Sequence, residues 1–80
     1  MKKLSELMER KWMVGSFEGH AIFWNHASTF TTYAIADNGD AEEVAVNTSY
    51  APVGVSEADK IRWAIEYGRE LAAEYGKDNE

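Results

Sequence analysis

Apolar side chains near the start of the chain follow helical spacing. Leu4, Leu7, Met8 and Trp12 follow the i, i+3, i+4, i+8 pattern of one helical face, and the charged residues Lys3, Glu6, Glu9 and Arg10 lie on the other side. This spacing places the apolar residues on one side of an α-helix. We therefore predict a short amphipathic helix over residues 3–11, which must be held by packing because isolated helices of this length are unstable.

The segment that follows changes to the pattern of β-strands. Residues 12–48 are rich in β-branched, aromatic and small residues, and turn-forming residues interrupt them at 18–19, 25–28 and 37–40. Three turns predict four strands in an antiparallel meander. Asn38 and Gly39 favour a two-residue type I′ hairpin, because both tolerate the positive φ that this turn requires.

The predicted hairpin sets the two faces of the sheet. With Asn38 and Gly39 as the loop, Tyr33 lies opposite Val44 and Thr31 lies opposite Val46. Continued through the earlier turns, this register puts the main core on the face with Met13, Phe17, Ile22, Trp24, Thr31, Tyr33, Val44 and Val46. The opposite face would carry Trp12, Val14, Phe23 and Phe30. Such an apolar column needs a cover, either the first helix or a second subunit.

The last third of the chain has the pattern of a long helix. Ser56 is a suitable N-cap, Glu57 and Asp59 complement the helix dipole in the first turn, and Gly76 is expected to end the helix. We predict a helix over residues 56–75 and a polar tail over 76–80. The stripe expected to lie on the sheet is Ala58, Ile61, Ala64, Ile65, Gly68, Leu71, Ala72 and Tyr75. The predicted fold class is α+β, with a short N-terminal helix, a four-stranded antiparallel meander sheet and a long C-terminal helix packed on the sheet (α-β-β-β-β-α).

Length and composition limit the class of protein. Eighty residues are enough for one domain, which we expect to span 1–80. Without cysteine there is neither a disulfide framework nor a thiolate metal site. The charged start is not followed by an apolar signal segment, so we expect a cytoplasmic protein with no membrane association.

The charge of the chain is acidic and unevenly distributed. Fourteen acidic against eight basic residues give a net charge of -6, and no Lys or Arg occurs between Trp12 and Asp59. This part of the surface should repel nucleic acid and attract a protein with a basic surface. The candidate partner-binding residues around the third turn are Asp37, Asp40, Glu42 and Glu43. The alternative is an acidic surface that serves solubility alone.

A second candidate surface lies on the long helix. On a helical projection Trp63 falls opposite the buried stripe, with Tyr67, Glu66 and Glu70 beside it. We expect these side chains to be exposed, and an exposed Trp next to a Tyr is typical of binding hot spots. The alternative is that Trp63 packs on the N-terminal segment or on neighbouring side chains of its own helix.

Motifs of catalysis and metal binding do not occur in the sequence. It contains no nucleophile elbow and no glycine-rich phosphate loop. His20 and His26 are on different predicted turns, and Glu42 and Glu43 point to opposite faces of a strand, so neither pair favours a metal or acid–base site. We therefore expect no enzymatic activity.

The compact cysteine-free chain, its acidic centre from Glu18 to Asp59 and the aromatic pair Trp63 and Tyr67 together resemble small phage-encoded anti-defence proteins, particularly anti-CRISPR proteins. The resemblance concerns size, charge and composition over the whole chain, and it assigns a role to no individual residue. It implies an inhibitor without a cofactor that blocks the nucleic-acid-binding surface of a bacterial defence complex, in the cytoplasm of the host. The alternative is a homo-oligomeric structural or regulatory module of a phage or bacterium, with the Trp12, Val14, Phe23 and Phe30 face as subunit interface.

Overall fold

The structure, a computed structural model, describes residues 2–78. Its elements are β1 (Lys2–Lys3), α1 (Leu4–Arg10), β2 (Trp12–Phe17), β3 (His20–Trp24), β4 (Thr29–Ile35), β5 (Asp40–Thr48) and α2 (Glu57–Asp78). The predicted α+β class is confirmed, since a short helix, a four-stranded antiparallel meander and a long helix follow one another in the predicted order.

A fifth, very short strand extends the meander. β1 pairs antiparallel with β5, so the sheet has the order β1-β5-β4-β3-β2. The backbone N–H of Leu4 donates to the carbonyl of Gly39 at 2.9 Å, and Lys3 forms an ion pair with Asp40. These contacts hold the first residue of α1 beside the β4–β5 turn. The helix then runs from this turn to β2, which lies at the opposite edge of the sheet.

Each helix covers its own side of the sheet. Under α1, Leu7 packs in a cluster with Ala21, Phe23, Tyr33 and Ala41. Under α2, the buried cluster consists of Val14, Ile22, Trp24, Phe30 and Ala64, surrounded by partly buried side chains that include Ile61, Ile65, Leu71 and Tyr75. The predicted apolar stripe of α2 is thus confirmed for most of its members, although Ala58 is exposed.

Small residues let α2 approach the sheet closely. Gly15 of β2 and Gly68 of α2 face each other, and a Cβ atom added to Gly15 would stand 2.5 Å from the carbonyl oxygen of Gly68. A Cβ atom on Gly68 would in turn stand 2.5 Å from Val14 Cγ2. The absence of a side chain at Gly15 and Gly68 is therefore what permits this close approach of α2 to β2.

The predicted assignment of side chains to the two faces is wrong for the first half of β2, for β4 and for β5. The register shifts between Met13 and Gly15, so that Val14 packs on the α2 side with Ile22, while Met13 is 43% exposed and does not belong to the main core. Trp24 pairs with Phe30, and Asn25 N–H donates to the Thr29 carbonyl, so three residues remain in the β3–β4 loop. The even-numbered residues of β3 and β4 therefore share a face of the sheet. Thr31 and Tyr33 lie on the α1 side with Phe23, whereas Phe30 lies on the α2 side with Ile22 and Trp24.

The β4–β5 turn also differs from the predicted type I′ hairpin. Gly39 has a φ of 90°, but Asn38 is not in the left-handed region. Gly39 N–H donates to the Ala36 carbonyl at 2.9 Å, and Ala36 N–H donates to the Asp40 carbonyl at 2.8 Å. This is the hydrogen bonding of a three-residue loop whose last position is a left-handed glycine.

The longer turn changes the register along part of the hairpin. Tyr33 lies opposite Glu43, one residue from its predicted partner Val44, and a bulge between Thr32 and Tyr33 restores the predicted pair of Thr31 and Val46. Val44 and Val46 are 53% and 55% exposed. Their predicted place in the main core is therefore wrong.

The start of α2 agrees with the prediction, and its end does not. Asp59 N–H donates to Ser56 Oγ at 3.2 Å, which confirms Ser56 as N-cap. The helix continues past Gly76 to Asp78. A glycine inside a helix costs about 1 kcal/mol relative to alanine and so disfavours helix without ending it. The rest of the predicted tail, Asn79 and Glu80, lies outside the described residues.

Candidate protein-binding surface

Two turns that are distant in sequence meet at one end of the sheet. Ile35 N–H donates to the carbonyl of Gly19 at 2.7 Å, which joins the end of β4 to the β2–β3 turn. Four exposed carboxylates belong to this region, which we call the acidic end: Glu18, Asp37, Glu42 and Glu43. The fold thus brings Glu18 to the same end as the predicted acidic residues of the hairpin.

Asp40 has a different environment from the rest of the predicted acidic set. Its carboxylate is paired with Lys3 and accepts a hydrogen bond from Asn38 Nδ2 at 3.2 Å. The Lys3 hydrogen bond lowers the pKa of Asp40, although burial acts in the opposite direction. Asp40 is therefore charged at neutral pH, but the Lys3 ammonium offsets its field. Its visible role is to hold β1 against β5.

Trp63 and Tyr67 are not the exposed pair that the helical projection predicts. Both are partly buried. The Trp63 ring meets Phe30 edge-on at 5.6 Å and Trp24 at 6.4 Å, while Tyr67 lies 4.6 Å from Phe30. A projection gives the direction of the Cα–Cβ bond only, whereas a long ring can lean along the helix onto large neighbours.

The acidic candidates of α2 stand among basic residues. Glu66 and Glu70 are exposed, but so is Arg69 between them. One turn earlier, Arg62 pairs with Asp59 at 3.4 Å. This surface of α2 carries mixed charge, in contrast to the acidic end.

The position of Trp63 leads to a test of stability. We expect Trp63→Ala to lower the free energy of unfolding by about 2 kcal/mol or more, because it removes ring contacts with the core. Tyr50→Ala is the control, since Tyr50 is 77% exposed and should change stability by about 0.5 kcal/mol at most. Urea denaturation measures both. If the two variants are equally stable, the Trp63 ring does not pack against the core and is exposed instead.

The histidines pack against aromatic rings at different sites. His20 stacks on Phe17 at 4.6 Å, and its Nδ1 lies 2.9 Å from the Glu18 carbonyl oxygen. His26 lies 4.7 Å from the Trp24 ring and 5.3 Å from the Trp12 ring. Within residues 2–78, no group of three or more acidic or histidine side chains is arranged to hold a metal ion.

The residues of the predicted subunit interface do not share one face of the sheet in the observed register. Val14, Phe23 and Phe30 are buried by the two helices. Trp12 remains 41% exposed, close to exposed Met8 and Met13. These three side chains line a shallow groove of about 480 Å³ together with Glu9, Arg10, Lys11 and His26. Met8, Trp12 and Met13 therefore form a smaller exposed apolar surface along this groove.

The outer edge of β5 is a feature that sequence reasoning missed. β1 pairs only with Asp40 and Ala41, and no other described strand lies beside β5 on this side. Val44 and Val46 are exposed along the same stretch. The residue pattern of a strand does not reveal whether it is central or at an edge, so only the sheet order could identify this feature.

Comparisons with known proteins assign neither a family nor a function to the chain. No protein-family model, curated protein or solved structure matches the chain. Neither helix of the described residues is both long and apolar enough to cross a lipid bilayer. The fold and its surfaces therefore define a small α+β protein with an acidic end and an open sheet edge.

Proposed function

We propose that this protein is a protein-binding inhibitor that docks its acidic end onto a basic surface of its partner. The observation that carries the proposal is the junction of the two turns, which gathers Glu18, Asp37, Glu42 and Glu43 at one end of the sheet. The resemblance to anti-CRISPR proteins supplies the class of target, the nucleic-acid-binding surface of a bacterial defence complex. The proposal involves no catalysis, no cofactor and no direct contact with nucleic acid, and its setting is the host cytoplasm.

The charge distribution supports this mode of binding. No Lys or Arg lies between Trp12 and Asp59, and among the described residues only Lys3 forms an ion pair with the hairpin acids. The field of the remaining carboxylates extends about 8 Å at physiological ionic strength. Acidic groups at this density compete with nucleic-acid phosphates for a basic channel and accelerate encounter with it.

Neutralising the acidic end should slow association with the target. The test variant combines Asp37→Asn, Glu42→Gln and Glu43→Gln, and the matched control combines Glu66→Gln, Glu70→Gln and Glu74→Gln on α2. A panel of purified, guide-loaded CRISPR effector complexes is assayed for the rate at which each protein associates and for binding of target DNA with each protein present. We expect wild type to inhibit at least one complex, the test variant to associate about tenfold more slowly at low salt, and the control to stay within about twofold.

The two triple variants change the net charge equally, so their comparison locates the surface. If the α2 control loses as much inhibition as the test variant, overall charge or the α2 surface is responsible and the acidic end is not the binding surface. If wild type inhibits no complex in the panel, the assignment to CRISPR effectors is wrong.

The alternative function is a homo-oligomeric structural or regulatory module. The observation that favours it is the groove in which Met8, Trp12 and Met13 remain exposed. The net charge of -6 opposes it, since it makes identical subunits repel each other. Sedimentation at several protein concentrations distinguishes the two functions: a stable dimer that Trp12→Ala dissociates would replace the inhibitor proposal.

A further inference from the structure

We infer that the outer edge of β5, from Glu43 to Thr48, is the place where an extended segment of the basic partner adds a strand to the sheet. The inference rests on the proposed function and specifies how the partner is held once charge has brought it to the acidic end. Charge attraction alone gives a fast but short-lived encounter, whereas backbone pairing along an edge gives it a fixed geometry.

The edge is open over most of its length. β5 has nine residues, but β1 pairs with Asp40 and Ala41 alone. Beyond Ala41, the side of β5 that faces away from β4 has no strand partner in the described part of the chain. An unpaired edge presents backbone N–H and C=O groups that can pair with another strand.

The two edges of the sheet are protected to different degrees. At the far edge, α2 packs closely on β2 through Gly15 and Gly68, and Val14 forms a bulge there. On β5, a bulge lies near Val44, and the charges of Glu42 and Glu43 oppose pairing with an acidic strand but not with a basic one. Residues 45–48 include no proline and no charged residue, so these usual features that prevent strand addition are missing there.

The chemistry of the edge favours a basic segment over a second copy of the chain. Exposed Val44 and Val46 suit β-branched side chains on an added strand, while Glu42 and Glu43 at the end of the stretch suit Lys or Arg. A second copy would bring another net charge of -6 to the same place. We therefore assign the edge to an extended partner segment with alternating β-branched residues and flanking cations.

A synthetic peptide with these properties tests the inference directly. The probe is acetyl-Lys-Arg-Val-Thr-Val-Thr-Arg-Lys-amide, titrated into ¹⁵N-labelled protein and followed by NMR. We expect the largest amide shift changes within residues 43–48, together with slowed hydrogen exchange there. Val46→Lys should weaken the affinity at least tenfold, because it places a cation against the basic probe and removes an apolar contact.

Val53→Lys is the matched control, because Val53 is fully exposed in a loop and the substitution changes the net charge equally. It should stay within about twofold of wild type. Val44→Lys provides a second edge variant at another exposed position in case Val46→Lys disturbs the fold, which the dispersion of the NMR spectrum reveals.

The outcomes separate this inference from the proposed function. If neutralising Asp37, Glu42 and Glu43 weakens probe binding while both edge variants behave like Val53→Lys, the acidic end attracts basic partners but the edge inference is wrong. The inference is also overturned if the shift changes fall outside 43–48, if no binding occurs, or if the free protein forms a dimer that already protects these amides. If the probe binds at the β5 edge but the protein inhibits no CRISPR complex, the inference of strand addition stands and the proposed target is wrong.

Discussion

Replacing Phe30 with alanine is expected to lower the free energy of unfolding by about 3–5 kcal/mol. The Phe30 side chain is completely buried between the sheet and α2, with the rings of Tyr67 and Trp63 centred 4.6 Å and 5.6 Å away. Removal of its ring leaves a cavity that rigid aromatic neighbours cannot easily fill. Since the total stability of small domains is about 5–15 kcal/mol, this loss removes a large part of the stability of the protein.

Urea denaturation followed by circular dichroism measures this loss. Val46→Ala is the comparison, because Val46 lies on the neighbouring strand but is more than half exposed. We expect it to cost less than about 1 kcal/mol. If Phe30→Ala is no more destabilising than Val46→Ala, α2 does not pack on Phe30 and the face assignment of β4 is incorrect.

Gly68→Ala should destabilise the protein although alanine is the better helix former. The added Cβ atom would lie 2.5 Å from both Val14 Cγ2 and the Val14 carbonyl oxygen, and the latter is backbone that cannot simply rotate away. Higher helix propensity contributes about 1 kcal/mol in the opposite direction. Overpacking commonly costs about 1–3 kcal/mol and sometimes more, so we expect a net loss of about 1–2 kcal/mol.

Gly76→Ala is the control, and the expected change has the opposite sign. Gly76 also lies within α2, but no atom stands within 4 Å of the position its Cβ would occupy. This variant should gain about 0.5–1 kcal/mol from helix propensity alone. Thermal and urea unfolding of both variants provide the comparison. A gain in stability at both positions would show that α2 does not lie against the Val14 backbone at Gly68.

The elements of the fold are largely determined by local sequence. Periodic apolar residues specify both helices and the strands of the meander, and the Ser56 hydroxyl supplies the N-cap of α2. These features depend on residues within one or two turns of each other, where spacing and hydrogen-bonding capacity suffice. The acidity of the hairpin is local in the same sense, because Asp37, Glu42 and Glu43 are close together in the chain.

The tertiary structure decided which side chains share a face and which surfaces remain open. One residue more or less in the β3–β4 loop reverses the orientation of every following side chain, and the sequence of that loop does not specify its length. The position of Trp63 against Phe30 depends on this orientation, as does the exposure of Val44 and Val46. The pairing of β1, and the position of Glu18 at the same end of the sheet as the hairpin acids, involve residues far apart in the chain. Such contacts depend on the order and register of the strands, and local patterns contain no information about either.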